Sequence, residues 1–193
     1  MTQEVEILVK VDSGAEEIRL ALLSQASFIG VSSYVDTYYF DPLRSALKPD
    51  GDMRLQSSLR IRERDGGYFL TFKRDHFDEY GSWIFSDEEE SSLGDGACVK
   101  RILENLGFRH LVTVEMEKAI FQNDAYIIAI EKVKDLGTFL EVESRLNLED
   151  VSATRAGIRA FIETLPGSFS RPSDGGKPEQ LLQRQSSRPD EGP

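Results

Sequence analysis

Little in this chain of 193 residues could staple it together or mark an obvious reactive centre. Its single cysteine, Cys98, cannot form an internal disulfide. The two histidines, His76 and His110, stand alone without metal-ligand spacing. No apolar run approaches the roughly 18 residues needed to span a bilayer, and the N-terminus lacks the apolar stretch of a signal peptide. A reducing, cytoplasmic setting with no membrane association is therefore expected. Positive charge is also scarce: 23 Lys and Arg stand against 34 Asp and Glu, a formal net charge of −11. That balance argues against non-specific nucleic-acid binding. It leaves room for an anionic small molecule, because a local basic cluster can dominate its own cavity. Glycine-rich phosphate loops are absent, since Asp65-Gly66-Gly67 reads as a turn. No internal repeat is visible.

What the chain does have is alternation. In Glu4-Val5-Glu6-Ile7-Leu8-Val9-Lys10, successive side chains of a strand face opposite sides. Glu4, Glu6, Leu8 and Lys10 share one face, and Val5, Ile7, Val9 and Val11 share the other. Alone, this is what any half-exposed strand shows. The pattern returns with Arg60, Arg62 and Arg64 on one face of a later strand, and with Glu141 and Glu143 on one face of another. Several strands with one charged and one apolar face suggest either a half-exposed sheet or a barrel with a charged lumen.

Strands are expected over 3–11, 33–40, 58–64, 68–74, 82–89, 111–121, 125–133 and 138–146. The Asp-Gly turn at 65–66 is the strongest hairpin signal. Helices are expected after Ser13, with Glu16 completing a capping box, over 97–106, and over 152–165 before Pro166. Gly30 is expected to break the chain before the second strand. The acidic run Asp87-Glu88-Glu89-Glu90 reads as a solvated strand end. Residues 1–166 are expected to form one domain and 167–193 a mostly disordered tail, with a short docked turn possible at Glu179–Leu182. The fold class is α+β, and about eight antiparallel strands can close into a β-barrel flanked by helices.

The charged residues that alternate with apolar ones include acids Glu4, Glu6, Glu131, Glu141 and Glu143, and bases Lys10, Arg60, Arg62, Arg64, Lys73 and Lys118. Burying so many charges is costly unless they pair or await a charged ligand. Arg suits bidentate phosphate contact and Lys point-charge contact. Carboxylates suit Mg²⁺ or Mn²⁺. Together these are the parts of phosphoryl-transfer chemistry.

At these residues the chain resembles the CYTH proteins, or triphosphate tunnel metalloenzymes, a family of class IV adenylate cyclases, thiamine triphosphatases and inorganic triphosphatases. The resemblance covers about residues 3–165. Glu4-Val5-Glu6-Ile7-Leu8 resembles the N-terminal ExExK signature, and Asp36-Thr37-Tyr38-Tyr39-Phe40 the second-strand motif. Leu59-Arg60-Ile61-Arg62 resembles the RxR strand, and Leu70-Thr71-Phe72-Lys73 the strand with a phosphate-binding lysine. Leu136-Gly137-Thr138-Phe139-Leu140-Glu141-Val142-Glu143 resembles the late LGxFxExE segment, the most specific match.

The resemblance implies an eight-stranded antiparallel tunnel. Arg60, Arg62, Lys73 and Lys118 are then the expected phosphate contacts. Glu4, Glu6, Glu131, Glu141 and Glu143 are the expected ligands of Mg²⁺ or Mn²⁺. The signature lysine is replaced by Leu8, and Lys10, two residues on and on the same face, is the expected stand-in. Lys10 and Lys73 are thus the expected catalytic lysines. Met116-Glu117-Lys118 keeps only the second base of a KxR pair. The implied partner is a small-molecule triphosphate, with the protein a monomer or homodimer. The implied activity is metal-dependent triphosphate hydrolysis. The alternatives are class IV cyclisation of ATP to cyclic AMP and pyrophosphate, or a degenerate module that binds without turnover.

Overall fold

A computed structural model describes residues 2–79, 83–146, 150–170 and 175–187. Strands β1 (Thr2–Glu4) and β2 (Glu6–Ser13) are followed by α1 (Ala15–Gln25) and β3 (Ser27–Phe40). Then come β4 (Ser57–Arg64), β5 (Gly67–Phe77), β6 (Trp83–Leu93) and α2 (Gly96–Asn105). The chain continues through β7 (Arg109–Gln122), β8 (Tyr126–Val133), β9 (Gly137–Ser144), α3 (Val151–Glu163), β10 (Ser168–Ser170) and α4 (Lys177–Ser186). The fold is α+β with an antiparallel sheet, as expected. Among the described residues the sheet has ten strands rather than eight, in the order β1-β6-β5-β4-β3-β7-β8-β9-β2-β10.

The higher count has two sources. The first expected strand is interrupted at Val5, so its two halves count separately. The three-residue β10 adds to the edge beyond β2. Among the described residues the ladder is not a closed ring of pairings. Its seam is crossed by the chain itself: β1 pairs with β6 and β2 with β9, and only Val5 separates them. The N-terminal strand thus ties the two ends of the sheet together.

The alternation seen in the sequence decides what each face packs against. The largest apolar core lies on the outer face of the sheet, where Val5, Phe121, Ile128, Leu140 and Val142 meet Ile18 and Leu22 of α1 and Ile158 and Ile162 of α3. A smaller cluster of Tyr39, Ile61 and Leu103 lies under α2. Because side chains alternate, burying Leu140 and Val142 outward turns Glu141 and Glu143 inward. The inner face is therefore where the charges collect.

Local chemistry fixes the helices and turns. Asp95 and Asp150 cap α2 and α3 by accepting from the amides of Cys98 and Ala153, at 2.8 and 2.9 Å. The β4–β5 hairpin turns through Asp65 and Gly66, both at positive φ (52° and 76°), as a tight hairpin turn requires. The expected capping box on α1 does not form. Gly14 occupies the cap position, and the Ser13 hydroxyl instead meets that of Ser168 at 2.8 Å. There Gly14 and Gly167 approach so closely that a Cβ on Gly14 would lie 2.7 Å from the Gly167 Cα. Gly30 does not end the helix–strand connection either; it sits inside β3 at a register shift, and pairing with β7 continues on both sides.

The tail also departs from expectation. Of the segment expected to be mostly disordered, 175–187 is described and contains α4, with Pro178 to Leu182 buried. Residues 171–174 and 188–193 lie outside the described residues. Leu181 and Leu182 pack against Tyr34, Tyr38, Val112, Val114, Met116 and Phe139, the apolar part of the inner face. Among the described residues, no helix is long and apolar enough to cross a membrane.

Candidate functional site

The strand register places the site. On the inner face Arg60 lies opposite Tyr38 and Arg62 opposite Asp36. Glu6 lies opposite Glu143 and Leu8 opposite Glu141. Lys118 lies opposite Glu131. Nine residues proposed from the sequence are brought together in this way: Glu4, Glu6, Arg60, Arg62, Lys73, Lys118, Glu131, Glu141 and Glu143. They fall into three groups.

The first is built on arginines. Asp36, 0% exposed, accepts two hydrogen bonds from Arg62, at 2.7 Å from Nε and 2.6 Å from Nη2. The Tyr34 ring lies 5.1 Å from the Arg62 guanidinium carbon. Burial alone would raise the Asp36 carboxyl, but the Arg62 hydrogen bond and the charges of Arg60 and Arg62 hold it below the usual carboxylate range. Arg60 is looser. It reaches the Tyr38 hydroxyl at 3.4 Å, Glu88 at 3.6 Å and Asp36 at 3.9 Å. Its buried Nε has no hydrogen-bond partner among the described residues. A buried, charged donor without an acceptor is rare and costly.

The second group crosses the seam. Lys73 on β5 reaches Glu6 at 2.8 Å and Glu4 at 3.2 Å. Burial would lower the Lys73 ammonium, but the two carboxylates raise it, so Lys73 stays charged. One ammonium cannot neutralise two carboxylates, and Glu143 adds a third. Glu4 is pushed up to about 7, by burial first and then by repulsion from Glu88 and Glu6 against the pull of Lys73. Glu143 is pushed up to about 8, by burial and by Glu4, Glu6 and Glu141.

The third group is balanced. Lys118 meets Glu131 at 2.5 Å and Glu141 at 3.0 Å, and Lys177 from α4 meets the other oxygens of the same two carboxylates at 2.5 and 2.8 Å. Glu131 is 0% exposed. Burial would raise Glu141, yet Lys118 and Lys177 hold it well below the usual carboxylate range. Burial would lower the Lys118 ammonium, but Glu131 and Glu141 raise it.

Among the described residues, no three His, Cys, Asp or Glu side chains are gathered closely enough to hold a metal ion as they stand. The donor chemistry of the second group nevertheless fits a hard divalent cation. Three inward carboxylates share one ammonium, and their mutual repulsion is what an added cation would relieve. Lys10 lies on the inner face as expected, half-buried on β2 opposite Phe139 and two residues beyond Leu8, but the ion pairs of the acid groups run to Lys73, Lys118 and Lys177 instead.

Sequence reasoning missed four participants. Asp36 and Tyr38 stood in a recognised motif without a role, although their alternation with Tyr34 matches that of Arg60 and Arg62. Glu88 was hidden in an acidic run read as solvated; its side chain is 12% exposed and faces Arg60. Lys177 carried no signal at all, being one lysine in a polar tail.

The family model of the CYTH domain matches residues 2–155 of this chain. A curated relative named "Putative adenylate cyclase MJ0240", from Methanocaldococcus jannaschii, is 28% identical over 163 residues, covering 84% of this chain and 87% of the relative. The PH1819 protein from Pyrococcus horikoshii has a similar structure, with TM-score 0.72, 23% identity, and 93% and 99% of the two chains covered. A Hippeastrum protein described as "Putative adenylyl cyclase HpAC1" with a dominant triphosphatase activity superposes with TM-score 0.64 at 15% identity over 94% of this chain and 96% of its own. At these identities the two structures show a shared fold.

Proposed function

This chain belongs to the CYTH family, and we propose that it hydrolyses a triphosphate with the help of Mg²⁺ or Mn²⁺ bound on the inner face of its sheet. The unpartnered, buried Nε of Arg60 carries this reading. It lies where Arg62, Lys73 and Lys118 also turn inward, and a phosphate oxygen is the acceptor that such a donor lacks. Asp36 fixes the Arg62 fork, so this contact needs little reordering when an anion arrives. Lys73 and Lys118 remain charged and so act as electrostatic contacts rather than proton acceptors. Glu4, Glu6 and Glu143 would hold the cation, with Glu141 beside them. When bound, the cation supplies charge neutralisation at the phosphoryl oxygens.

In hydrolysis, water attacks the terminal phosphorus and the bond to the bridging oxygen breaks, releasing orthophosphate. A second reading, cyclisation of ATP, is favoured by the name of the relative at 28% identity. There a ribose 3′-hydroxyl attacks the α-phosphorus and pyrophosphate leaves. The test is product analysis with tripolyphosphate, ATP and thiamine triphosphate, each with Mg²⁺ and Mn²⁺. Orthophosphate is the expected product; cyclic AMP with pyrophosphate would replace the hydrolytic reading with cyclisation. Tight binding without product would instead select a binding module, which the apolar Leu8 and Met116 on the inner face favour.

A further inference from the structure

The two acid groups of the inner face differ in one respect that the sequence does not show. Among the described residues, Glu4, Glu6 and Glu143 face one ammonium, that of Lys73. Glu131 and Glu141 face two, those of Lys118 and Lys177. The Lys177 ammonium bridges one oxygen of each carboxylate, at 2.5 and 2.8 Å. That is bridging by a cation of two acids that would otherwise repel each other in a buried place.

We propose that Lys177 is a built-in cation that occupies the Glu131–Glu141 pair in place of a divalent metal, leaving this protein a single divalent site at Glu4, Glu6 and Glu143. The proposal rests on the metal-assisted reading given above.

The packing of α4 explains why this lysine stays in place. Leu181 and Leu182 cover the apolar patch of the inner face around Tyr38, Val114, Met116 and Phe139, with Leu8 packed beside it. Withdrawing the helix would return that surface to water, which hydrophobic burial opposes. The Arg184 guanidinium also donates to the Asp135 carbonyl at the far end of the helix. Lys177 therefore sits on a rigidly docked element, one residue past the helix cap Gly176. A bound metal at Glu131 and Glu141 would have to displace an ammonium that the chain supplies at high effective concentration.

The test is Mn²⁺ binding to the full chain, read by the loss of the free-ion electron paramagnetic resonance signal and by calorimetry. The wild type is expected to bind one Mn²⁺ per chain, and Lys177→Met two, because the unbranched apolar Met side chain keeps most of the stem packing while removing the ammonium, which frees the acid pair. Two ions on the wild type, or one on both proteins, would overturn the proposal. No binding by either protein would overturn it together with the metal-assisted reading. Binding by Lys177→Met alone would overturn the Glu4–Glu6–Glu143 site and the single-site claim, while supporting the role of Lys177. If Lys177→Met does not fold, Glu131→Gln and Glu143→Gln decide. Glu143→Gln is expected to weaken Mn²⁺ binding about tenfold or more, and Glu131→Gln to leave it within about twofold. Equal weakening by the two would overturn the proposal.

Discussion

Asp36 is the member of the site whose removal should cost most, and the structure lets that cost be worked out. Its carboxylate is fully buried and holds Arg62 by two hydrogen bonds, with Arg60 3.9 Å away. Asp36→Asn keeps the shape but removes the charge, leaving the Arg62 guanidinium buried with a neutral partner. Removing one member of a buried, well-bonded ion pair costs about 3–5 kcal/mol. For a domain of this size each kcal/mol corresponds to about 2–4 °C in Tm. The expected loss is therefore about 6–20 °C, read by circular dichroism melting at neutral pH and low salt.

Two further readouts separate this cause from a general packing defect. Asp36 is held below its unfolded value, so its contribution is present above about pH 3.9 and is lost as pH falls through its folded pKa. The difference between wild type and Asp36→Asn should shrink in acid. At one fixed tripolyphosphate concentration the variant should also gain more stability than wild type, since an anion replaces the missing charge; a hundredfold excess over a protein's own Kd corresponds to about 2.7 kcal/mol. A Tm within about 2 °C of wild type at neutral pH would refute the reasoning, because Arg62 would then be indifferent to its partner.

Other consequences follow from the same geometry. Glu4, Glu143 and Glu179 are raised to about 7, 8 and 7, in each case by burial first. An acid raised on folding binds protons more tightly in the native state, so metal-free stability should fall as pH rises from about 4.5 to about 8. Urea denaturation at pH 6 and pH 8 checks this, and a flat profile would contradict it; Mn²⁺ should reduce the loss at pH 8. Leu181→Ala should lower stability by about 2–4 kcal/mol, as for other buried leucines, because Leu181 is 7% exposed against the inner apolar patch. A change below about 0.5 kcal/mol in urea midpoint analysis would show that α4 is not docked in solution.

The parts of this molecule legible in the sequence were those where local chemistry and face alternation agree. The β4–β5 hairpin is written in Asp65-Gly66 and in the period of Arg60, Ile61 and Arg62, and both faces appear as read. The inward acids and bases followed from period two alone, because a strand that buries Leu140 and Val142 outward must turn Glu141 and Glu143 inward. What failed were features decided by distant partners. Gly30 reads as a break, but fourteen residues of β7 stand ready to pair with β3, so the chain absorbs an irregularity and continues. Glu88 reads as part of a solvated acidic run until Arg60 and Lys73 are known to lie beneath it. Composition marks the tail as unable to build a core of its own. It cannot show that the sheet leaves an apolar patch of matching size.

Leu8 and Lys177 are best understood as one arrangement. In sequence Leu8 looks like a lost base. In the structure it lies opposite Glu141, the carboxylate that Lys177 already holds. A lysine at position 8 would add a third ammonium to a buried group of two carboxylates and two ammoniums, and the excess charge would be penalised by burial and by repulsion. Leu8→Lys should therefore destabilise the wild type, yet be much better tolerated when Lys177 is Met, since the new ammonium then takes the vacated role at Glu141. A double-mutant cycle measures this, with an expected favourable coupling of about 1–3 kcal/mol between the two substitutions. Strict additivity would mean that the two side chains do not compete for Glu141 and that Leu8 serves the apolar patch alone.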